Sequence, residues 1–378
     1  MAAPAQAVKR VTLPGIEGEA AQWHRGAEPA SIPAPGRKQA PMPQASDIPL
    51  IDPALPKVEL HLHLEGAAPP ALIRSLAQER HVDIGGIFAE DGGYAFDNFA
   101  DFLGVYDAAC SVLQRPEDFR RLTEAVLEAR AEDGVIHVEV FLSPDFCGGG
   151  DLAAWRDYLA AIHEAAKSAE ASAGITMRAI VTAIRHLGPD QARRVALCAA
   201  ETAGDFVTGF GIAGDETAGR ARDFAWGFDC AREAGLGLTA HAGEWAGPES
   251  VRAALDTWRV SRIGHGVRAI EDRALVTRLA ESGTMLEVCP GSNLALGLYP
   301  ALAAHPVARL REAGVRVSLS TDDPPFFRTS LRAEYEALAR AFGWTEADFR
   351  AINADAARAA FCDAATRAAI LKSLEAPA

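Results

Sequence analysis

Short apolar runs alternate with long helical stretches from Val58 onward, and this alternation restricts the fold more than any other feature of the chain. Eight runs have strand character: Val58–His63, Val135–Leu142, Met177–Ala183, Val207–Ala213, Leu236–His241, Arg262–His265, Met285–Cys289 and Val315–Thr321. After the second, successive starts lie roughly 22–42 residues apart, the length of a strand plus a crossover helix. Ala- and Arg-rich stretches such as Leu152–Ala173 and Glu216–Ala234 fill the intervals. Eight such units predict an α/β fold, a TIM-type (β/α)8 barrel with its chemistry at the C-terminal strand ends. An open doubly wound sheet is the competitor, but no G-x-G-x-x-G follows the first strand. The interval of about 70 residues between the first two runs predicts a helical insertion over the barrel mouth. Residues 329–374 read as closing helices.

Composition removes other classes. Of 378 residues, 49% are hydrophobic and 23% charged, which excludes collagen-like, coiled-coil and wholly disordered chains. No apolar run approaches the ~20 residues of a membrane span, so no membrane partner is expected. The net charge of −14 repels phosphate backbones and argues against nucleic acid as a partner. Eight of the 22 prolines fall in residues 1–50. Such a segment cannot offset its ordering entropy, so a Pro-rich disordered extension is expected before one catalytic domain over 51–378. Met42 is a possible alternative start. Six scattered cysteines without a C-x-x-C pair fit a reduced, cytoplasmic protein.

The strand ends carry the chemistry. In the run Lys57–His63, alternation puts Val58, Leu60 and Leu62 on one face and Glu59, His61 and His63 on the other. Two imidazoles two residues apart on one strand face can grip one ion. His241 closes the fifth run and is followed by Ala242-Gly243-Glu244; His265 closes the sixth; Asp322 and Asp323 follow the eighth. Imidazoles with a carboxylate, and no thiolate cluster, suit Zn²⁺ ahead of Fe²⁺ or Ni²⁺. A binuclear hydrolase of this kind would want a bridging Lys at the fourth strand end. That end reads Gly209 to Glu216 without one, so a single zinc per chain is expected.

Together these motifs resemble the adenosine deaminase family of the amidohydrolase superfamily. The resemblance rests on His61-x-His63, Gly214-Asp215-Glu216, His241-Ala-Gly-Glu244, Arg262-Ile-Gly-His265-Gly, Leu286-Glu-Val-Cys-Pro-x-Ser292-Asn293 and Ser320-Thr-Asp322-Asp323-Pro, in order from about residue 55 to 360. It implies zinc on His61, His63, His241 and Asp322. It implies catalytic roles for three residues: Glu244 passes a proton to purine N1, His265 orients the water, and Asp322 accepts the water's proton. It implies substrate contacts from His63, Glu65, the Gly214 backbone N–H at N3 and Asp323 at N7. The expected reaction is hydrolytic deamination of adenosine and 2′-deoxyadenosine to the inosine products and ammonia, with a small purine nucleoside as the partner.

Two departures keep an alternative in view. Glu65 stands where adenosine-specific members commonly carry Asp, and adenine deaminases are similar at this position. Gly211 stands where many adenosine deaminases have Asp. Against these, Gly247-Pro248-Glu249-Ser250-Val251 looks more like adenosine deaminases. Adenine, or another 6-aminopurine nucleoside derivative, is thus the alternative substrate. AMP deaminases share the Ser-Thr-Asp-Asp-Pro run, but they are longer, and no basic phosphate cluster is evident here. A non-catalytic purine-binding module would have lost a ligand or Glu244, and this chain keeps them all. Phe99, Phe102, Leu103 and Tyr106, at helical spacing in Asn98–Leu113, suit either a lid over the pocket or ordinary helix packing.

Overall fold

The computed structural model describes residues 51–375. The expected extension over 1–50 lies outside the described residues. Among the described residues there are nine strands: β1 (Lys57–His63), β2 (Val135–Leu142), β3 (Thr176–Ile184), β4 (Val207–Ala213), β5 (Gly237–Leu238), β6 (His241–Ala242), β7 (Arg262–His265), β8 (Met285–Val288) and β9 (Arg316–Leu319). Every neighbouring pair is parallel, in the orders β1-β2-β3-β4-β5 and β6-β7-β8-β9. A parallel bridge between Leu62 and Asp322 ties β1 to the segment after β9, with His63 N–H donating to Asp322 O at 3.0 Å. On the other side, the Ser261 N–H donates to Leu238 O at 3.1 Å. The result is an α/β barrel of the TIM type with eight staves.

The fifth stave differs from the single run expected over Leu236–His241. Leu238 pairs with β4, and Thr239 N–H still donates to Phe210 O at 3.1 Å. Ala240 O then accepts from Gly264 N–H at 2.8 Å, and β6 pairs with β7. The chain stays extended while its ladder moves from one neighbour to the other, so the stave reads as two short strands.

Both faces of β1 are buried, as a barrel stave requires. Val58 and Leu60 pack against Ala356 and Ala357 of the closing helices and Ala360 just past them, while Glu59 and His61 turn toward the other staves. Each buried aliphatic side chain contributes roughly 1.5–3 kcal/mol. The helix Leu152–Ala173 lies where the sequence places it. Asp151 caps its start by accepting from Ala154 N–H at 2.9 Å, and Gly174 ends it at φ +70°. Between β1 and β2 lie helices Pro70–Arg80, Phe99–Cys110 and Pro116–Glu132. The third packs on Leu152–Ala173 as part of the outer ring, so the insertion proper is carried by the first two. The helix expected over Glu216–Ala234 begins only at Ala221, where Arg220 and Asp223 form a capping box. That leaves Glu216 free for the site. Helices Leu331–Phe342, Glu346–Ala359 and Ala364–Glu375 follow β9. Among the described residues, no helix is long and apolar enough to cross a membrane.

Candidate active site

The C-terminal strand ends bring the histidines of β1, β6 and β7 onto Asp322. Nε2 of His61 and Nε2 of His63 each lie 3.3 Å from Asp322 Oδ1. Nε2 of His63 is 3.2 Å from Nε2 of His241. Ligand atoms of His61, His241, His265 and Asp322 all fall within 4.8 Å of one another. His63 lies outside that tightest foursome but faces the same Oδ1. His265 faces the other side, with Nε2 4.0 Å from Asp322 Oδ2 and 3.7 Å from Glu244 Oε2. His265 and Asp322 leave their strands in the left-handed region, at φ +59° and +66°. Neither is glycine, and such backbone strain concentrates where side chains must be aimed.

These donors suit a cation. The His61 Nε2 atom is buried and has no hydrogen-bond partner. Two imidazole nitrogens meeting at 3.2 Å share at most one proton and otherwise set lone pair against lone pair, unless a positive ion lies between them. The other ring nitrogens are anchored: His61 Nδ1 lies 2.9 Å from Glu287 Oε2, and His241 Nδ1 lies 3.1 Å from Ile212 O. Such outer partners orient metal-binding imidazoles. Burial pushes the Asp322 pKa up, but the His61, His63 and His265 imidazoles around it together outweigh burial and hold the carboxyl well below its usual range.

Three further carboxyls are pushed the other way. Burial, then repulsion from Asp322 and Glu216, holds Glu244 well above the ordinary range. Burial, then Asp322, Glu244 and Glu65, does the same for Asp323. Burial raises Glu65 to about 8, against backbone N–H groups that pull it down. One oxygen of Glu65 (Oε1) and one of Asp323 (Oδ1) are buried without a partner. The pocket therefore combines an anionic Asp322 with three neutral acids. Gly214, at φ +89°, turns the chain beside it; a Cβ there would lie 2.8 Å from His186 Nδ1.

Several residues of the site escaped sequence reasoning, although three sit in motifs it quoted. The Glu216 carboxylate accepts the backbone N–H groups of Gly243, Glu244, Trp245 and Ala246, pinning the loop that carries Glu244. Ser292 donates to Asp322 Oδ2 at 2.7 Å. Asn293 Nδ2 lies 3.3 Å from Glu244 Oε1. His305, outside every quoted motif, lies 3.1 Å from Asn293 Oδ1. The readable signal was a polar pair one turn into the short helix Pro290–Ala295, immediately after a strand end.

The helix Phe99–Cys110 packs on the segments that follow Glu244 and Asp323. Phe102 packs on Phe326 and Phe327, which follow Asp322-Asp323 in the chain, with centroids 5.6 and 5.3 Å away. Tyr106 meets Phe326 at 5.6 Å and Phe146 at 5.9 Å, and Phe99 meets Trp245 at 4.8 Å. Burial holds the Tyr106 phenol well above its usual range. Of the two readings of this aromatic stripe, these contacts show the helix packing.

Comparison with known proteins gives the same direction. The sequence model described as adenosine deaminase matches residues 56–377. A protein named adenine deaminase from Agrobacterium fabrum is 50% identical over 319 residues, covering 84% of this chain and 97% of the relative. The crystal structure of adenine deaminase from Arthrobacter aurescens superposes with a TM-score of 0.78 at 31% identity, covering 85% of this chain and 98% of that one. An amidohydrolase structure from Burkholderia ambifaria with bound Zn superposes at 0.77 with 30% identity, covering 85% and 90%.

Proposed function

The chain belongs to the adenosine deaminase family, and from that premise we propose that it hydrolyses free adenine to hypoxanthine and ammonia. The observation that carries the choice of substrate is Glu65 Oε1, a buried acceptor without a partner. An unpartnered buried acceptor costs roughly 1–3 kcal/mol. Free adenine brings an N–H at N9 to satisfy it; a nucleoside carries its sugar there instead. The relative from Agrobacterium fabrum and the structure from Arthrobacter aurescens, both named adenine deaminase, support the same reading. Adenosine, expected first from the sequence, becomes the second reading, favoured by the run Gly247–Val251.

His61, His63, His241 and Asp322 would hold one zinc ion, as the approach of His61 and His63 to Asp322 Oδ1 and of His63 Nε2 to His241 Nε2 supports. When bound, the metal supplies a water whose pKa is lowered to about 7. The protein's own groups do the rest. Glu244, neutral in its buried setting, donates its proton to ring nitrogen N1 as C6 is attacked. Asp323, also neutral, donates a hydrogen bond to N7. The Gly214 backbone N–H meets N3. His265 stands on the Oδ2 side of Asp322, beside Glu244, where it orients the attacking water. The helix Phe99–Cys110, whose aromatic side chains pack on the segments after Glu244 and Asp323, would exclude bulk water and so strengthen each of these contacts.

Ultraviolet conversion of adenine, adenosine and AMP, compared side by side, tests the substrate. We expect kcat/KM for adenine to exceed that for adenosine by at least tenfold, about 1.4 kcal/mol of discrimination. A preference for adenosine would return the first reading and leave the machinery unchanged.

A further inference from the structure

The strand ends leave one question of polarity open: which oxygen of Glu244 keeps its proton. A chain of hydrogen bonds starting from a backbone group answers it. The Val307 N–H can only donate, and it donates to His305 Nδ1 at 3.2 Å. The neutral His305 ring therefore carries its proton on Nε2. Burial, then the nearby Arg309, keeps that ring neutral down to about pH 3. His305 Nε2 faces Asn293 across 3.1 Å, so the Asn293 atom there must be the carbonyl oxygen. The Asn293 amide nitrogen then points the opposite way. It donates to Glu244 Oε1 at 3.3 Å and lies 3.5 Å from His265 Nδ1. Both recipients are thereby fixed as acceptors at those atoms. The proton of Glu244 sits on Oε2, and that of His265 on Nε2. These two atoms face each other at 3.7 Å, on the side of Asp322 Oδ2.

We propose that His305 is a positioning residue for the deamination: through Asn293 it fixes the hydrogen-bond polarity at Glu244 and His265, and so presents the acidic proton of Glu244 on the oxygen facing the pocket. The inference deepens the proposed function and rests on Glu244 being the proton donor. His305 is 2% exposed, and it is separated from Glu244 by the full width of the Asn293 amide. It acts only by deciding which way that amide faces.

A double-mutant cycle tests this. His305→Leu and His305→Gln are each measured alone and in an Asn293→Ala background, on whichever of the three purines is turned over fastest. His305→Leu removes both the donor and the acceptor; it should lower kcat roughly 10–100-fold and leave KM within about twofold, the size seen for outer-shell partners. His305→Gln offers an N–H to Asn293 and an oxygen to Val307, and should restore most of that loss. In the Asn293→Ala background, His305→Leu should cost nothing further. Losses that multiply in the double variant, equal effects of Leu and Gln, or unchanged kcat in His305→Leu would each overturn the proposal. If His305→Leu does not fold, as judged by circular dichroism, Asn293→Asp takes its place: it turns an acceptor toward Glu244 and should lower kcat at least as far as Asn293→Ala. Wild-type kcat there would also overturn the proposal. Failure of Glu244 itself as donor is read separately, from Glu244→Gln.

Discussion

At the scale of single residues, what the sequence makes legible depends on each residue's surroundings. His61, His63, His241, His265 and Asp322 were legible because period-two alternation and barrel topology send strand-end side chains to one mouth. Glu216 was not, because it reads as the first acidic turn of a helix that begins five residues later. His305 was not, because nothing in a lone histidine between Ala304 and Pro306 marks it as buried. Glu244 stands between these cases: its place was legible, its protonation only from burial and the charges of Asp322 and Glu216. Replacing it by Gln keeps an N–H facing the ring but removes the transferable proton. Turnover should fall about 10²–10⁴-fold. Elemental analysis should still find one zinc per chain, because the contacts of Glu244 run to Asn293 and toward His265, away from Asp322 Oδ1. Turnover near wild type would remove Glu244 as the proton donor.

Elements set how firmly those residues are held. Most staves were legible to within one or two residues, since Gly, Asp and Pro punctuate short β-branched runs. The fifth was misread as a single strand, because a change of ladder partner at Thr239–Ala240 leaves no mark in composition. The support behind the short helix Pro290–Ala295 was equally hidden. Glu334, on the helix Leu331–Phe342, accepts from Gly291 N–H at 3.1 Å and from the Thr329 hydroxyl at 2.7 Å. A Cβ at Gly291 would lie 2.0 Å from Glu334 Oε1, so a side chain there would displace the Glu334 carboxyl. Burial pushes the Glu334 pKa from an ordinary 4.5 up to about 7. The folded protein thus keeps a proton that the unfolded chain releases between about pH 4.5 and 7. Stability from this group falls as pH rises through that window and levels off above it, by on the order of 3 kcal/mol. Glu334→Gln keeps an oxygen for Gly291 N–H and has no proton to lose. Urea unfolding at pH 5 and pH 8 should show a smaller pH difference in the variant than in the wild type. An identical difference would place its origin elsewhere.

At the scale of the whole molecule, the two sheets are tied through buried charge. Arg262, on β7 and 1% exposed, donates to Glu287 Oε1 on β8 at 2.6 Å and pairs with Glu139 Oε2 on β2 at 2.6 Å. It also donates to Ala359 O at 3.2 Å and stacks over the Phe361 ring at 3.7 Å. One guanidinium thus joins both sheets and the closing helices, and through Glu287 it reaches His61. Alternation along the strands could not reveal this, because a stave is buried on both faces and gives no sign of which buried side holds ions. Burial pushes the Glu139 and Glu287 pKa values up, but the Arg262 charge, joined by His137 at Glu139 and by His61 and Thr239 at Glu287, holds both below the usual carboxylate range. Removing the cation alone, as in Arg262→Met, leaves two buried carboxylates uncompensated and should cost about 3–5 kcal/mol. Adding Glu139→Gln and Glu287→Gln removes those charges, so the triple variant should regain part of the loss despite carrying more changes. Denaturant unfolding of the three proteins decides between charge and packing. If the triple variant is no more stable than Arg262→Met, the loss belongs to the guanidinium's stacking on Phe361 and its bond to Ala359, and buried charge is not what ties the sheets together.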